Sequence, residues 1–554
     1  MANRKAALTL RSLEQIARRY GAGMAARKRA LLAALGDTRG LSSAQLLRLH
    51  ELLCFLHAYP DDRRIRGQVR RMLLAFHLRA DLRRHRDALA GTGIAGTATP
   101  YRFFWPTACW IAQQWPGALR LDRDDLDAAR AIIDVLPQLL EPVQAEWLRG
   151  RRAATLGVLD RLVPRDRTDA DFLIGLIVQM PGDDFSREAF GDRLDMSYVL
   201  RAGRGTPERT TARIDLAAVR YQTTDLLTGR PDLRAEARRG PLHTRPLRSE
   251  DALAVIRLAR ICMITRERDA AIFQFAHPED VFLIDDGQGL AFAMMGMLPE
   301  RRAVLPSTYG ALMLKNGVPI GYVQADMLGR HAALSFNVFE TFRRSEAARV
   351  FARLIAAIRH VFGCDEFSIE PYQLGDGNHE GIVSGAWWFY YRFGFRPRSP
   401  AARRLASREV ARRRADGAHR SSVRTLRALA RSHLFFSLDE TRRARLPRID
   451  AWLAEATRRM RRYRQVDPRH RRNAALEDAL RRLGPVNAAR LTRGQRATLG
   501  RWAPLVLAVT ARGRWLAGER RQLLQLILAK AGRSERDFQR RLLRHARLRA
   551  LLDC

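Results

Sequence analysis

Apolar side chains in residues 1–155 recur every three to four positions, which is the spacing of one face of an α-helix. The pattern is clearest from Leu46 to Leu53 and from Ile132 to Leu140. Prolines fall between these segments or near their starts, where a proline ends one helix or begins the next. Residues 1–155 are therefore predicted to form an all-α region. Its tryptophan cluster is expected to pack in the core: Trp105, Trp110 and Trp115.

From about residue 242 the pattern changes to short apolar segments that alternate with helical ones. Residues 309–324 predict a β-hairpin, because Asn316-Gly317 is the dipeptide preferred in a two-residue turn between antiparallel strands. Residues 333–338 predict a third strand, and residues 366–371 resemble the strand that follows it in a known family considered below. A helix from Ser345 is expected to pack one apolar face on this sheet, through Phe351, Leu354, Ile355, Ile358 and Phe362. The pattern predicts an α/β (α+β) domain with a mixed sheet over residues 241–400.

Residues 156–240 show no single period. The apolar run at residues 172–179 fits either a buried strand or a helix, because a short run does not distinguish the two. The charged stretch at residues 234–241 contains Gly240 and Pro241 and is interpreted as a linker. We expect a mixed region and a linker here.

Helical spacing returns after Pro400, now on Arg-rich segments, and residues 502–511 predict a buried helix. Residues 401–554 contain 40 basic and 13 acidic residues, a net charge of +27 out of +40 for the whole chain. A positive field of this size attracts polyanions, with a strong dependence on salt. We predict a basic helical domain over residues 401–554 that contacts nucleic acid or another polyanion.

The chain length of 554 residues exceeds what one hydrophobic core supports. The five cysteines are far apart and form no CxxC pair, which disfavours a disulfide framework and a zinc site and fits a reducing, cytoplasmic environment. The histidines show no metal-ligand spacing, so no metal is expected. No apolar run reaches the roughly 18 residues of a transmembrane helix.

Two segments carry candidate chemistry. The first is a strand end followed by a basic helix start, from Val338 through Phe342 and Arg343-Arg-Ser-Glu-Ala-Ala348 to Arg349. The free N–H groups and positive dipole end of a helix start favour phosphate. The second is an aromatic helix predicted over residues 382–393, which ends in Phe-Gly-Phe and holds Tyr390 four residues before Gly394.

Together these segments resemble the GNAT family of N-acetyltransferases over residues 242–398. The family's phosphate turn is Arg/Gln-x-x-Gly-x-Gly/Ala, which Arg343 and Ala348 match at its two ends, while Glu346 stands at the glycine position. Ala386, Tyr390, Gly394 and Phe395 match the family's helix motif, whereas Val383 replaces its customary asparagine. The resemblance implies a central GNAT-like domain flanked by all-α regions.

The resemblance also implies roles for single residues. Acyl-CoA would be held at Val338, Arg343, Arg344, Ala347, Ala348 and Arg349. Tyr390 would act as the general acid toward the departing thiolate, since a phenol with a pKa of about 10 can donate a proton to it. Glu340 and Glu370 are the candidate carboxylates beside the amine acceptor.

We therefore predict an N-acyltransferase that moves an acyl group from acyl-CoA to an amine. Two alternatives remain open. One is a non-catalytic GNAT-like scaffold whose basic helical tail binds nucleic acid. The other is a transferase that takes its acyl group from an aminoacyl-tRNA.

Overall fold

The computed structural model describes residues 2–149, 155–215, 218–240, 242–468 and 470–553. Contacts divide the chain into two compact units. The N-terminal unit comprises Met1–Leu226, Ala254–Gln274 and Lys315–Pro319. The C-terminal unit comprises Leu227–Leu253, Phe275–Leu314 and Ile320–Cys554.

The helices are, in chain order, α1 Ala2–Ile16, α2 Met24–Asp37, α3 Ser43–Ala58, α4 Arg63–Leu74, α5 Ala80–Arg84, α6 Trp105–Gln114, α7 Leu126–Leu139, α8 Pro142–Arg149, α9 Leu159–Leu162, α10 Asp169–Gln179, α11 Asp184–Arg193, α12 Leu233–Arg238, α13 Ser249–Ile264, α14 Ala271–Gln274, α15 Ala347–Phe362, α16 Pro371–Leu374, α17 His379–Val383, α18 Ala386–Arg392, α19 Pro400–Ala415, α20 Val423–Ala430, α21 Ile449–Met460, α22 Arg471–Leu483, α23 Arg493–Thr510, α24 Ala517–Lys530, α25 Glu535–Arg544 and α26 Ala546–Asp553. The strands are β1 Thr99–Tyr101, β2 Leu119–Leu121, β3 Tyr198–Leu200, β4 His243–Pro246, β5 Ala276–Gly287, β6 Leu290–Met297, β7 Ser307–Lys315, β8 Val318–Leu328, β9 His331–Val338, β10 Glu366–Ile369, β11 Arg396–Pro397 and β12 Leu434–Ser437.

The N-terminal unit is mainly helical, but it also holds a three-stranded antiparallel sheet in the order β1-β3-β2. The all-α expectation for this region is corrected by these strands, which are three residues long and too short to show an alternating pattern. The ambiguous run at residues 172–179 lies in α10, whose start is capped by the Thr168 hydroxyl. The tryptophan cluster packs in the core as predicted, with Trp105 and Trp115 buried and Trp110 partly buried.

The C-terminal unit contains a nine-stranded sheet in the order β11-β12-β10-β9-β8-β7-β6-β5-β4. The predicted hairpin is confirmed as β7 and β8, with Asn316 and Gly317 at φ of 50° and 81° in its turn. β9 and β10 pair in parallel, and α15 connects them. The predicted apolar face of α15 is buried, which fixes this helix on the sheet.

Most of the stretch interpreted as a linker lies in α12, Arg239 and Gly240 follow the helix, and Pro241 lies outside the described residues. Its helix packs against α15, where the buried Arg353 bonds to both Glu236 (3.1 Å) and Asp286 (2.6 Å). Arg353 stands on the mainly apolar α15, so the apolar periodicity gave no sign of this polar contact.

The basic region after residue 400 is not all-α, because β12 inserts into the sheet between β10 and β11. Its later helices share a core that also includes Leu305 and, from β8, Leu328. Trp502, Leu505 and Val506 on α23 are buried in it, as predicted for residues 502–511. Within the described ranges, no helix has the length and apolar character needed to cross a membrane.

Candidate active site

A cavity of about 180 Å³ lies in the C-terminal unit at the end of β9. It is enclosed by the last residues of β9, the start of α15, and the segment that carries α16, α17 and α18. Its lining is Phe336, Asn337, Val338, Arg343, Ala347, Gln373, Asn378, Glu380, Gly381, Ser384, Ala386, Phe389 and Tyr390. Three of the residues predicted at the site, Val338, Arg343 and Ala347, therefore meet Tyr390 in one cavity.

The sheet opens where the cavity begins. β9 and β10 pair only from His331–Glu366 to Ala333–Ser368, and β9 then continues to Val338 paired with β8 but not with β10. Phe339 N–H donates to Ile320 O in β8 at 3.0 Å, so by alternation the N–H and C=O of Val338 and Phe336 point away from β8. The carboxyl end of a parallel pair is where ligands bind in open α/β sheets. Here the end of β9 presents backbone groups toward the gap.

Tyr390 is held in the cavity wall by aromatic packing. Its ring lies edge-on to the rings of Phe351 and Phe395, with centroids 5.4 and 5.9 Å away, and the residue is 3% exposed. Burial raises the pKa of Tyr390 well above its usual value, because the phenolate would lose its hydration. Its hydroxyl has no hydrogen-bond partner within the described part of the chain. The site thus holds a protonated phenol able to donate to a bound group.

The aromatic helix is shorter than the sequence indicated. Instead of one helix over residues 382–393 there are two, α17 and α18, separated at Gly385, which adopts a left-handed conformation with φ of 68°. Asn378 caps α17 by accepting from Gly381 N–H at 3.2 Å and donates to Tyr372 O at 3.1 Å. The amide of Asn378 therefore holds this part of the cavity wall together. Val383, which stands at the position of the customary asparagine in the resemblance, is 72% exposed.

At the predicted phosphate turn, carboxylates of the protein pair with two of the arginines. Arg343 is bonded to the Glu380 carboxylate, and its Nε donates to Val338 O at 3.1 Å. Glu346 is 4% exposed and pairs with Arg349 at 3.2 Å, directly before α15 begins. Arg344 is exposed, and Ala348 follows in the first turn of the helix without lining the cavity. Two of the three predicted phosphate-binding arginines thus already contact a carboxylate.

Neither Glu340 nor Glu370 lies in the cavity wall. Glu340 is exposed in a short 3-10 helix, and Glu370 is exposed at the start of α16. The carboxylate that lines the cavity belongs to Glu380, in the first turn of α17. In the sequence, Asn378 followed two residues later by Glu380 was the signal of a helix start. The predicted helix began only at residue 382, so both residues were assigned to a loop.

Asn337 was also missed. Its Oδ1 is buried at the cavity wall and has no hydrogen-bond partner within the described residues. A buried acceptor without a partner costs about 1–3 kcal/mol, so a ligand N–H that reaches it gains binding energy. Asn337, Glu380 and Tyr390 together offer two acceptors and one donor to a small polar group.

Comparisons with protein-family models, curated proteins and solved structures found no match to this chain.

Proposed function

We propose that the C-terminal unit is an N-acyltransferase that moves an acyl group from acyl-CoA to an amine in the cavity at the end of β9. The observation that carries the proposal is the buried phenol of Tyr390 in the wall of a cavity that opens where β9 leaves β10. The GNAT resemblance names the same tyrosine and the same strand end.

The donor would bind along β9. The pantetheine arm of acyl-CoA contains two amides, which can pair with an exposed strand edge as an added strand does. Beyond Ala333, β9 has such an edge facing away from β8. The cavity of about 180 Å³ is smaller than the roughly 300–1,000 Å³ of common ligand pockets, so it would take the thioester end of the arm, while the rest of the arm and the nucleotide stay outside. The pyrophosphate would reach the first turn of α15, where Ala347 and Ala348 present backbone N–H groups and Arg344 is exposed.

In the reaction the neutral amine attacks the thioester carbonyl, and the C–S bond breaks as the amide forms. The departing thiolate takes the proton of Tyr390. The phenolate then regains a proton from the acceptor nitrogen, which becomes positively charged when it attacks. Overall one proton moves from nitrogen to sulfur. Because burial raises the pKa of Tyr390, its phenolate is short-lived and the hydroxyl is restored in each turnover.

The acceptor amine would be oriented by the two acceptors of the cavity. Asn337 Oδ1 can accept one N–H, and the Glu380 carboxylate can accept a second or attract the protonated amine. Glu380 replaces Glu340 and Glu370 as the carboxylate beside the acceptor, since only Glu380 lines the cavity.

Thermal shift of the full chain tests donor binding. Acetyl-CoA and a longer acyl-CoA at millimolar concentration are expected to raise the melting temperature. Pantetheine, which has neither phosphate nor nucleotide, should raise it less. A melting temperature that none of these ligands changes would sink the acyl-CoA proposal. Appearance of free thiol with a panel of primary amines then reports the transfer itself.

A second donor is favoured by one observation. Arg343 and Arg349 already contact Glu380 and Glu346, so little positive charge remains for a pyrophosphate at this turn. Arg344 is the exposed arginine of the turn that pairs with no carboxylate, whereas α19 holds four such arginines within the described residues, Arg403, Arg404, Arg408 and Arg414. α19 packs on α20, and α20 contacts α16, α17 and α18 around the cavity.

This arrangement fits a transferase whose acyl donor is an aminoacyl-tRNA, with α19 contacting the phosphate backbone. Filter binding of tRNA at 50 and 200 mM salt distinguishes aminoacyl-tRNA from acyl-CoA as the acyl donor. Binding that falls steeply with salt, together with no stabilisation by acyl-CoA, favours the tRNA donor. RNA binding without transfer of any acyl group would leave the GNAT-like scaffold as the remaining function.

A further inference from the structure

The N-terminal unit contains a second and much larger cavity, of about 1280 Å³. It shares no residue with the cavity of Tyr390. Its wall is made by the end of α4, the loop before β1, the loop after β3 and one face of α13: Leu73, Leu74, His77, Arg86, Asp87, residues 95–98, residues 201–208, residues 211–214, Ala254, Arg257, Leu258 and Ile261. Ligand pockets commonly measure roughly 300–1,000 Å³, so this space exceeds what a small metabolite fills.

The charge of this wall is positive. Five arginines and two acids line it, and both acids are engaged. Glu208 accepts from Thr210 N–H at 2.6 Å and Thr211 N–H at 3.1 Å, and the exposed Asp87 lies 3.6 Å from Arg86. The unengaged arginines are Arg201, Arg204 and Arg213, which have no carboxylate partner within the described part of the chain.

Arg257, the remaining arginine of the wall, stacks on the ring of Trp115 at 5.2 Å. Stacking uses the face of a guanidinium and leaves its N–H groups free for an anion. A fixed orientation also lowers the entropy lost when the group binds.

More positive charge surrounds Arg213. Arg66 and Arg70 on α4 and His57 on α3 interact with it, and Asp215 and Glu208 offset part of their charge. Burial, followed by the repulsion of Arg70, lowers the pKa of Arg213. His57 is 2% exposed, and neither ring nitrogen has a partner within the described residues. Burial, followed by the repulsion of Arg213, lowers the pKa of His57 to about 3. An anion beside Arg213 would relieve the repulsion among these groups.

Part of the wall is aliphatic. Leu73, Leu74, Ile214, Leu258 and Ile261 line it, and among the described residues no Phe, Tyr or Trp does. Nucleobases are usually held by stacking on aromatic rings, so this wall disfavours a nucleotide. It offers hydrocarbon contact at these five side chains and positive charge at Arg201, Arg204 and Arg213.

We propose that this cavity binds an aliphatic organic anion, that is, a carboxylate or phosphate ester carried on an alkyl chain. The head group pairs with Arg201, Arg213 and Arg257, and the chain lies against the leucines and isoleucines. The proposal does not rest on the acyltransferase function, because the residues and the chemistry are separate.

Isothermal titration of the full chain tests it with probes of equal chain length: decanoate, decyl phosphate and decyltrimethylammonium, each below its micelle concentration. Decanoate or decyl phosphate is expected to bind at least tenfold more tightly than the cation. The tighter of the two anions identifies the head group. Equal affinity for the cation, or no binding of either anion, overturns the proposal.

Two variants act on different parts of the cavity. Arg201→Gln with Arg213→Gln removes the charge and should weaken anion binding at least tenfold. Ala254→Trp, at an exposed lining position, should obstruct the space and weaken binding while keeping the charge. The matched control Arg493→Gln with Arg496→Gln, at exposed positions of α23, should leave affinity unchanged. Unligated melting temperatures verify folding, and unchanged affinity in both cavity variants would refute the site.

Discussion

The two cavities differ in whether the arginines around them are paired with carboxylates. At the cavity of Tyr390, Arg343 contacts Glu380 and the nearby Arg349 contacts Glu346. In the cavity of the N-terminal unit, Arg201, Arg204 and Arg213 have no carboxylate partner within the described residues. At the arginine-rich turn that the sequence marked for an anion, two of the three arginines already pair with carboxylates, whereas the arginines of the unmarked loops do not. Local density of arginine is therefore a poor guide to where a chain can accept an anion.

The walls of the two cavities also differ in the side chains that form them. Aromatic rings fix one phenol in the small cavity, and such a fixed donor suits a reaction. The large cavity has a partly aliphatic wall with arginines at exposed and half-buried positions, which suits binding. The following predictions test this division, beginning with the largest effect.

Tyr390→Phe should lower the turnover of acyl transfer by about 10²- to 10⁴-fold, because it removes the proton donor and keeps the ring packing. Affinity for the acyl donor, measured by isothermal titration, should stay nearly unchanged. The control is Tyr391→Phe, at a ring stacked on Trp387 outside the cavity lining. Equal turnover in the parent and the Tyr390 variant would remove Tyr390 from the reaction.

Acid should destabilise the N-terminal unit through His57. The folded unit keeps this ring neutral, with a pKa of about 3, whereas the unfolded chain takes up a proton near pH 6.5. Stability is then unaffected well above pH 6.5 and falls as the pH drops below it, by about 2 kcal/mol at pH 5. Hydrogen exchange of the α3 amides at pH 5 and 7.5 measures this change.

His57→Leu should make the pH dependence of α3 shallower, since neither ring nitrogen has a partner to lose within the described residues. His331, whose pKa burial lowers to about 4, provides the comparison in the C-terminal unit. The acid sensitivity of β9 should be the same in the variant and the parent. An equal loss of α3 protection in both proteins would contradict the role of His57.

Glu346→Gln should convert the turn before α15 into one with an unneutralised arginine, like the large cavity. The stability of the C-terminal unit should fall by about 1–3 kcal/mol, because Arg349 loses its buried partner. Acyl-CoA should bind severalfold more tightly if its pyrophosphate reaches this turn. Urea unfolding and titration measure the two effects, with the exposed Glu340→Gln as control. Weaker acyl-CoA binding by the Glu346 variant would exclude the turn as the phosphate site.

The smallest effect is expected at α19. Each of Arg403→Gln and Arg408→Gln should change stability by less than about 0.5 kcal/mol, since both side chains are exposed. If α19 contacts RNA, each change should lower the slope of log affinity against log salt by about 0.7–0.9. Lys5→Gln on α1 is the matched control. A slope that no α19 variant alters would place RNA contact elsewhere.

The sequence predicted best those features that depend on neighbouring residues. The turn at Asn316-Gly317, the buried face of α15 and the helix carrying Tyr390 all follow from short spacings. Each is set by local backbone preference or by one apolar face, so a single segment contains the information.

Features that depend on distant partners were not predicted. Glu380 contacts Arg343, 37 residues earlier, and nothing in either segment marks the other. Gly385 was placed inside a helix because a single glycine is tolerated there, and only its φ of 68° separates α17 from α18. The large cavity is assembled from four separate stretches, two of them irregular loops without any period.

The position of β12 has a consequence for how the chain folds. β11 reaches the sheet only through β12, which follows it by almost forty residues and pairs with β10 on its other side. A chain still emerging from the ribosome therefore exposes the edge of β10 until residue 437 is available. Closing that long loop adds sequence separation to the sheet and should slow its completion.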